Sequence, residues 1–386
     1  MTNPIKIFSL DELQKRKSVK WRGYGEGVLP LPVMEMDFEI AAPVRELIID
    51  MVSNSDTGYL GPVPEMGINF SHFAQERWGW SVDPEQVFTC TDVAVGMIEM
   101  ARVLFSENPE HRRIMVNTPV YHNFSNWISE LKAERVDVPL AKDGLHYTFD
   151  FDAIERAYSN GVAIHFLCNP HNPVGTVFTK NELIRLAELA QKYGVTIFSD
   201  EIHSPLTFVK EDFHPFLSVS DTAREVGICV TSPSKSWNLA GLKCAIIVTA
   251  SEKQRARTLA MPEAVHYRAS LLGAFAGAQA YLCSDWLDSA LAQLDSNRHY
   301  LADLLSEHLP TVGYRIPDCS YVGWLDLESL QLGDLPAERL AAEAKVAFNP
   351  GHTFCSSHTQ FIRFNFGTSP EIMAMGIERI ASLARK

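Results

Sequence analysis

The chain has 386 residues, and its 47 acidic side chains against 34 Lys and Arg give a formal net charge of −13. At roughly 150 residues per domain, this length suggests two or three domains, and such a chain can bury a large core without disulfide or metal crosslinks. The acidic balance argues against a general nucleic-acid binder, which carries a basic surface. It leaves room for one local basic pocket.

Cysteine use and the N-terminal sequence favour an intracellular protein. The 7 Cys residues are an odd number and no two are spaced as C-x-x-C, which argues against zinc-ribbon and thioredoxin-like sites. The N-terminal stretch MTNPIKIFSLDELQKRK lacks the apolar segment of a signal peptide. No apolar run reaches the roughly 18 residues that a membrane span needs. We therefore expect a cytoplasmic protein without a metal ion, acting neither on nucleic acid nor at a membrane.

The predicted elements begin after an irregular N-terminal stretch. The first fifty residues lack periodicity and carry Pro30, Pro32 and Pro43, so we expect them to wrap back onto another part of the molecule. The middle of the chain then alternates apolar runs with helical patterns, which predicts a mostly parallel sheet covered on both faces. The strand-like runs cover residues 87–90, 114–116, 162–167, 195–199, 227–231 and 244–249.

One helix in this region has clear start and stop signals. Leu183 and Leu186 recur on one helical face within residues 181–193. Thr179 and Glu182 form a capping-box pattern at its start, and Gly194 fits the position just beyond its end. The last hundred residues differ from the middle. They contain a long helix at 289–309 and alternating strands at 321–329 and 360–367, which predict a smaller α+β domain.

Polar clusters follow four of the predicted strands. Ligands of open α/β sheets bind beyond the carboxyl ends of strands, so these clusters are candidate site residues. Each has an ordinary explanation when taken singly, because Asn-Pro loops are usually turns, an Asp after a strand usually caps a helix, and a Lys in a Ser-rich loop is usually solvated. Their order and shared placement at strand ends indicate a site. The clusters are residues 91–96, 169–175, 200–203 and 232–238.

Four segments carry a resemblance to a known family that extends over nearly the whole chain. They are WRGYGEGVLPLPVMEMDF (21–38), NPHNPVGTVF (169–178), SDEIHSPL (199–206) and SPSKSWNLAGLKCA (232–245). With them the chain resembles the fold-type I pyridoxal 5′-phosphate (PLP) enzymes of the class I/II aminotransferase superfamily. Within that superfamily it is most similar to the cystathionine β-lyase/cysteine C–S lyase (MalY/PatB-like) subgroup.

The resemblance implies an architecture. We expect an α/β, fold-type I PLP-dependent transferase fold, with a large domain built on a mostly parallel seven-stranded sheet and a smaller α+β C-terminal domain. Residues 1–49 would join the small domain, residues 50–285 would form the large PLP-binding domain, and residues 286–386 the small domain. The family also implies a homodimer with composite active sites.

The same resemblance assigns residues to the ring of the cofactor. Lys235 would supply the amine that holds the PLP aldehyde as a Schiff base, and Asp200 would hold the proton on the pyridine nitrogen. Asn172 would donate to the phenolate oxygen of the ring. Tyr121 would stack on one ring face, although an amphipathic core tyrosine is its ordinary explanation. By the same resemblance, Ile202 and His203 would lie beside the ring.

The phosphate group needs backbone donors and positive charge. Val93 and Ala94 would offer N–H groups at a helix start. Many relatives carry Arg where this chain has Lys243, and Lys is a point charge without the two-pronged geometry of Arg. Tyr59 resembles a residue that reaches the phosphate of the neighbouring subunit. Hydroxyl groups would come from Ser232 and Ser234.

The substrate side of the site is assigned in the same way. Arg363 matches the arginine that binds the substrate α-carboxylate through two hydrogen bonds, and Asn172 would lie beside it. Tyr24 and Met36, with the surrounding residues 34–37, match the N-terminal stretch that borders the substrate pocket. Lys235 and Tyr121 would be the catalytic residues.

The resemblance implies α,β-elimination from L-cystathionine or another L-cysteine S-conjugate, giving a thiol such as homocysteine, pyruvate and ammonia. Such an enzyme would serve methionine biosynthesis and sulfur amino acid metabolism. Lys235 would remove the Cα proton, which requires a pKa below the reference value of about 10.4. Two alternatives stay open. One is transamination on the same fold, and the other is a regulatory protein that retains the fold.

Overall fold

Short apolar strands alternate with helices through the middle of the chain and form one seven-stranded sheet in the computed structural model, which describes residues 5–209 and 212–385. The strands are β1 Leu29–Pro30, β2 Val87–Cys90, β3 Arg113–Thr118, β4 Glu134–Pro139, β5 Ala141–Asp143, β6 His146–Thr148, β7 Ile164–Cys168, β8 Thr196–Asp200, β9 Gly227–Thr231, β10 Ala245–Val248, β11 Gly313–Tyr314, β12 Val322–Asp326, β13 Val346–Ala347, β14 Asn349–Pro350 and β15 Phe361–Asn365.

Helices fill the connections between these strands. They are α1 Leu10–Leu13, α2 Val19–Arg22, α3 Ala42–Ser53, α4 Pro64–Trp78, α5 Val93–Glu107, α6 Asn123–Glu130, α7 Phe151–Ser159, α8 Lys180–Tyr193, α9 Asp221–Val226, α10 Pro233–Ser236, α11 Glu252–Leu259, α12 Ala264–Tyr267, α13 Leu271–Ala280, α14 Ser284–His308, α15 Pro336–Arg339 and α16 Pro370–Ala384. In the described part of the chain, none of them combines the length and apolar character of a transmembrane helix.

The large sheet has the strand order β2-β10-β9-β8-β7-β3-β4. Strand β10 runs antiparallel to both of its neighbours, and the other neighbouring pairs are parallel. The prediction of a mostly parallel seven-stranded sheet is therefore confirmed. The predicted strands also form, with ends displaced by at most three residues, as at 162–167, where the strand is Ile164–Cys168.

Alternate residues of the central strands enter two separate cores. In β9, Ile228 and Val230 join the core beneath α5, whereas Cys229 joins the core that contains Leu183 and Leu186 of α8. Strands β7, β8 and β9 are buried along their whole length. A strand buried on both faces must be apolar at successive positions, which explains the continuous apolar runs in the sequence.

The signals for helix α8 act as predicted. Thr179 Oγ1 accepts the backbone N–H of Glu182 at 3.3 Å, and a carboxylate oxygen of Glu182 accepts the backbone N–H of Thr179 at 2.8 Å. Gly194 ends the helix with φ of 71°, a left-handed conformation that glycine adopts without a Cβ clash. The helix thus holds β7 and β8 side by side, which fixes the spacing of the loops that follow them.

The C-terminal part of the chain forms an antiparallel sheet with the order β11-β12-β15-β14. The N-terminal stretch lies against this part, since β1 pairs in parallel with β13 and the Asn365 side chain donates to the backbone carbonyls of Val33 and Glu35. Helix α14 connects the two sheets and begins at Ser284, two residues before the proposed start of the small domain.

A buried ion pair fixes the N-terminal stretch. Lys20 Nζ lies 2.7 Å from Asp37 Oδ2, and both side chains are fully buried. The indole N–H of Trp21 donates to Asp37 Oδ1 at 3.2 Å, and Lys20 Nζ also donates to the carbonyl of Glu35 at 3.2 Å. Buried charges need this degree of pairing because each loses its hydration. The pair therefore ties helix α2 to residues 35–37.

Replacing Lys20 with Met would leave the buried Asp37 carboxylate with only the more distant Arg16, whose Nη1 lies 3.9 Å from Asp37 Oδ1, as a cation among the described residues. Removing one partner of a buried ion pair costs about 3–5 kcal/mol, so we expect the free energy of unfolding to fall by about that amount. Urea denaturation measures it. Lys6→Met is the control, because it removes an exposed contact of 3.8 Å with Glu39 and should cost at most about 1 kcal/mol. Equal losses in the two variants would contradict this account of Lys20.

Candidate active site

The carboxyl ends of the parallel strands bring the predicted polar clusters to one edge of the large sheet. Asp200 ends β8, Asn172 follows β7, and Lys235 lies in α10 directly after β9. A cavity of about 560 Å³ opens at this edge. Of the predicted site residues, it is lined by Val93, Ala94, Tyr121, Asn172, Asp200, Ile202, His203, Ser232, Ser234, Lys235, Lys243 and Arg363. The structure therefore brings most of the predicted site together.

Lys235 presents a buried amine to this cavity. Its Nζ donates a hydrogen bond to the backbone carbonyl of Met34 at 3.1 Å. Burial lowers the pKa of Lys235 from its usual 10.5 to about 8, and the positive charge of Arg363 acts in the same direction. Part of the amine is consequently unprotonated near neutral pH, as a nucleophile or a general base requires.

Asp200 presents a buried carboxylate. The backbone N–H of Ile202 donates to its Oδ1 at 3.1 Å. Burial raises the pKa of Asp200 to about 7, although that hydrogen bond and the charge of Lys235 oppose the shift. A buried carboxylate of this kind favours binding a protonated nitrogen, because the new cation restores the stabilisation that water supplied.

The start of helix α5 forms another wall. Asp92 Oδ1 accepts the backbone N–H of Val95 at 2.9 Å, and Val93 and Ala94, the first two residues of the helix, line the cavity. Lys243 Nζ lies 3.3 Å from Asp92 Oδ2, so a cation stands at the same end. A helix start with a nearby cation is suited to a phosphate group.

The two predicted serines have different surroundings. Ser232 Oγ donates to the carbonyl of Cys244 at 2.7 Å and accepts the backbone N–H of Ser234 at 3.1 Å. Its hydroxyl hydrogen is thus already engaged within the protein. Ser234 lines the cavity, and its backbone N–H is the group that Ser232 orients.

Arg363 comes from the other sheet. It lies in β15 and is 2% exposed, and it donates to Asn172 Oδ1 and to the carbonyl of Pro32, both at 3.0 Å. Its Nε is buried without a hydrogen-bond partner. Burial lowers the pKa of Arg363 to about 10. No carboxylate of the described residues lies at ion-pair distance from Arg363, and a buried guanidinium with spare donors is suited to binding an incoming carboxylate.

Aromatic and imidazole groups complete the cavity. Tyr121 Oη accepts a hydrogen bond from Asn123 Nδ2 at 2.6 Å, and burial raises the pKa of Tyr121 above its usual 10. Burial lowers the pKa of His203 to about 3, so its ring is neutral near pH 7. His203 Nδ1 lies 3.3 Å from Ser320 Oγ.

Three predicted residues lie outside the cavity lining of the described chain. Tyr59 is fully exposed within an irregular segment and reaches no site of its own chain. Tyr24 is 37% exposed, near enough to Arg363 that the guanidinium charge acts on its phenol. Met36 is fully buried in the hydrophobic core, and Met34 of the same segment lines the cavity in its place. The choice of Met36 as a wall of the pocket is therefore corrected to Met34.

Several lining residues were not singled out from the sequence. Burial and the charge of Arg363 lower the pKa of His122 to about 4, so this neighbour of Tyr121 is neutral near pH 7. Its position beside Tyr121 was the one signal that could have identified it. The other unpredicted lining residues include Val19, Val33, Asn123, Trp127 and Asn349.

Among the described residues, no group of three or more His, Cys, Asp and Glu side chains is arranged to bind a metal.

Comparison with known sequences agrees with this arrangement. Residues 35–380 match the sequence model of the family described as aminotransferase class I and II. The match extends over most of the chain and contains the strand ends, Lys235 and Arg363. The chain belongs to the aminotransferase class I and II family.

Individual relatives extend over nearly the full length. A Mycobacterium leprae protein, provisionally named a cystathionine beta-lyase, is 36% identical over 98% of this chain and 98% of its own. The cystathionine beta-lyase of Corynebacterium glutamicum is 33% identical over 97% of this chain and 98% of its own. A crystal structure from Corynebacterium diphtheriae, provisionally named a PLP-dependent beta-cystathionase, is 32% identical with a TM-score of 0.93, covering 99% of both chains.

The shifted pKa of Lys235 predicts its chemical reactivity. Reductive methylation modifies unprotonated amines, so in protein freed of bound small molecules its rate at Lys235 should rise with pH through about 8. Peptide mass spectrometry measures this. Arg363→Met removes a positive charge that lowers the pKa, so the midpoint should move to higher pH. Arg185→Met, at an exposed position in α8, is the control. A midpoint that Arg363→Met leaves unchanged would refute the proposed coupling.

Proposed function

We propose that the protein is a PLP-dependent carbon–sulfur β-lyase that eliminates a thiol from L-cystathionine or another L-cysteine S-conjugate. The products are the thiol, which is homocysteine from cystathionine, together with pyruvate and ammonia. The observation that carries the proposal is the full-length similarity, at 33–36% identity, to proteins named cystathionine beta-lyases. The partly buried Lys235 and the buried Asp200 and Arg363 line one cavity and supply the groups that such a reaction needs.

The cavity fits PLP on its own chemistry. Asp200 is a buried carboxylate that lacks a close cation, so it suits the pyridinium nitrogen, and the start of α5 with Lys243 suits the phosphate. Lys235 would hold the cofactor covalently and Asn172 would face its phenolate oxygen. When bound, PLP withdraws electrons from the substrate Cα. Ring contacts would come from Tyr121, Ile202 and His203, and further phosphate contacts from Val93, Ala94, Ser232 and Ser234.

Proton transfer falls to two residues of the chain. Lys235 Nζ takes the Cα proton, for which its lowered pKa prepares it. The raised pKa of Tyr121 keeps its hydroxyl protonated near neutral pH, so Tyr121 Oη, or protonated Lys235, gives a proton to the departing sulfur. The neutral His203 and His122 leave the positive charge of the site to Lys235, Lys243 and Arg363.

The substrate is oriented from the C-terminal sheet. Arg363 binds the α-carboxylate with Asn172 beside it, since the two side chains are already hydrogen-bonded at 3.0 Å. Tyr24 lies at the open side of this contact. Met34 and His122 line the remaining space, which the substrate side chain would fill. The enzyme is proposed to act in the cytoplasm, in sulfur amino acid metabolism and methionine biosynthesis.

The fully exposed Tyr59 supports a homodimer. An exposed aromatic side chain on an irregular segment has no packing role in its own chain. Nearby Ile49, Val52 and Ile68 in helices α3 and α4 are also exposed apolar side chains. A twofold dimer through this region would bury them and bring Tyr59 to the phosphate end of the partner's cavity.

The lyase proposal is tested with L-cystathionine and no added keto acid. We expect holoprotein to release pyruvate, ammonia and homocysteine in equal amounts. Lys235→Ala should lower kcat by at least about 10³-fold, because both the covalent attachment and the base are lost. Lys253→Ala, at an exposed position, is the control. Turnover that depends strictly on a keto acid would instead identify an aminotransferase. An inactive protein that keeps a cellular role in the Lys235→Ala form would identify a regulatory one.

The composite site is tested by mixing two inactive variants. Tyr59→Ala and Lys235→Ala homodimers each carry one defect in both sites. After unfolding and refolding together, half of the dimers are hybrids, each with one site that combines an intact Tyr59 with an intact Lys235. We expect about a quarter of the wild-type activity in the mixture. Activity no higher than the sum of the separate variants, with dimers still forming by light scattering, would place Tyr59 outside the partner's site.

A further inference from the structure

Residues 33–38, here called the strap, cross the cavity between the two sheets without forming a helix or strand of their own. Met34, Met36, Asp37 and Phe38 in the strap are nevertheless buried. Buried backbone N–H and C=O groups need hydrogen-bond partners, and here no regular ladder supplies them. Side chains from both sheets supply several of these partners, and the backbone N–H of Asp37 donates to the carbonyl of Gly367 at 2.8 Å.

Asn238 holds the strap from the side of the large sheet. Its Oδ1 accepts the backbone N–H of Met36 at 3.0 Å, and its Nδ2 donates to the carbonyl of the same residue at 2.8 Å. Asn238 follows Lys235 by three residues and has φ of 59°, a left-handed conformation that Asn tolerates better than most residues. The segment that carries Lys235 is therefore hydrogen-bonded directly to the strap.

Asn365 holds the strap from the side of the C-terminal sheet. Its Nδ2 donates to the carbonyl of Val33 at 2.6 Å and to that of Glu35 at 3.0 Å. Its Oδ1 accepts the backbone N–H of Gly367 at 2.7 Å, which fixes the amide orientation. Asn365 follows Arg363 by two residues in β15. The two asparagines thus connect the strap to the elements that carry Lys235 and Arg363.

The carbonyl of Met34 lies between these two attachment points. It accepts one hydrogen bond from Lys235 Nζ at 3.1 Å and one from Tyr321 Oη at 3.0 Å. Tyr321 is fully buried, so its hydroxyl is a fixed donor. The carbonyl oxygen consequently has one defined position relative to the amine.

We propose that Asn238 and Asn365 are positioning residues that hold the Met34 carbonyl so that it orients the free amine of Lys235 for proton transfer. Neither asparagine touches the substrate in this role; both act through the strap. The proposal rests on the proposed function, in which Lys235 is the base. Misplacing a catalytic group by about 1 Å can lower a rate about 10²-fold, so a small displacement of the carbonyl suffices for a measurable effect.

Because charged groups surround Lys235, a change in the position of the strap should change the pKa of Lys235, which a titration measures. Arg363 and Lys243 lower the pKa of Lys235, whereas Glu35 of the strap and Asp200 raise it; burial lowers it most. A displaced strap admits water to the amine, which weakens the effect of burial, and it also moves Glu35 away; burial is the larger of these two opposing effects. The pKa of Lys235 then rises towards its usual 10.5, so activity that needs the unprotonated amine moves to higher pH.

The test compares holoenzyme variants with L-cystathionine. Asn238→Gly removes the amide but keeps the backbone conformation, and we expect kcat to fall roughly tenfold or more while KM changes less than about twofold. The acidic limb of the kcat–pH profile should move upward by about half a pH unit or more. Tyr321→Phe removes one donor to Met34 without backbone change and should shift both quantities in the same direction by a smaller amount.

Asn69→Asp is the matched control, because it loses a single amide bond to the carbonyl of Ala278, between helices α4 and α13. It should leave kcat and the pH profile unchanged. If Asn238→Gly lowers kcat without moving the pH profile, or Asn69→Asp changes both as much, the positioning role is refuted.

Methylation of Lys235 needs no turnover, so its pH midpoint in Asn238→Gly tests the positioning role even if no cysteine conjugate is cleaved. An unchanged midpoint refutes the role, and absent cleavage refutes the lyase proposal.

Discussion

Loss of hydration at three charged groups is the constraint on which this site depends. Asp200 and Arg363 are buried and Lys235 is partly buried around one cavity, and no salt bridge of the described chain joins any two of them. Burying charge without close pairing costs several kcal/mol per ion, and the direction of each pKa shift reflects that burial: down for the two cations and up for the acid. The rest of the fold must hold these groups in an environment that disfavours their charged forms. A bound ligand of complementary charge would offset this loss of hydration.

The fold meets this constraint by dividing the work between two sheets. The large sheet places Asp200 and Lys235 at the ends of adjacent parallel strands, and the antiparallel sheet places Arg363 opposite them. The strap runs between the sheets and gives hydrogen-bond acceptors to both, at Met34 for the lysine and at Pro32, just before it, for the arginine. The buried pair of Lys20 and Asp37 anchors its far end. The irregular backbone of the strap thus lies where side chains from several elements meet.

Sequence reasoning reached the features that are local along the chain. The strand ends, the caps of α8 and the cluster at Lys235 lie in short segments, and the parallel order of β7, β8 and β9 then assembles them. It did not reach features that depend on contacts across the molecule. The choice between Met34 and Met36, the amide contacts of Asn238 and the presence of Trp127 in the cavity follow from side-chain directions fixed by distant elements. The antiparallel direction of β10 likewise carries no local signal, because its apolar run resembles those of the parallel strands of the sheet.

The hydrogen bonds of Arg363 have a consequence for the thermodynamics of recognition. A free arginine side chain carries about 2 kcal/mol of rotamer entropy, much of which is lost when it grips a ligand. Here Asn172, the Pro32 carbonyl and the face of the Phe354 ring already confine the guanidinium before any ligand arrives. The side chain of Arg363 has lost this entropy during folding. A ligand carboxylate would therefore bind a guanidinium that is already ordered, and little binding free energy would be lost in ordering the side chain. In the proposed role of Arg363, selectivity would therefore rest on the angle at which a carboxylate approaches the guanidinium.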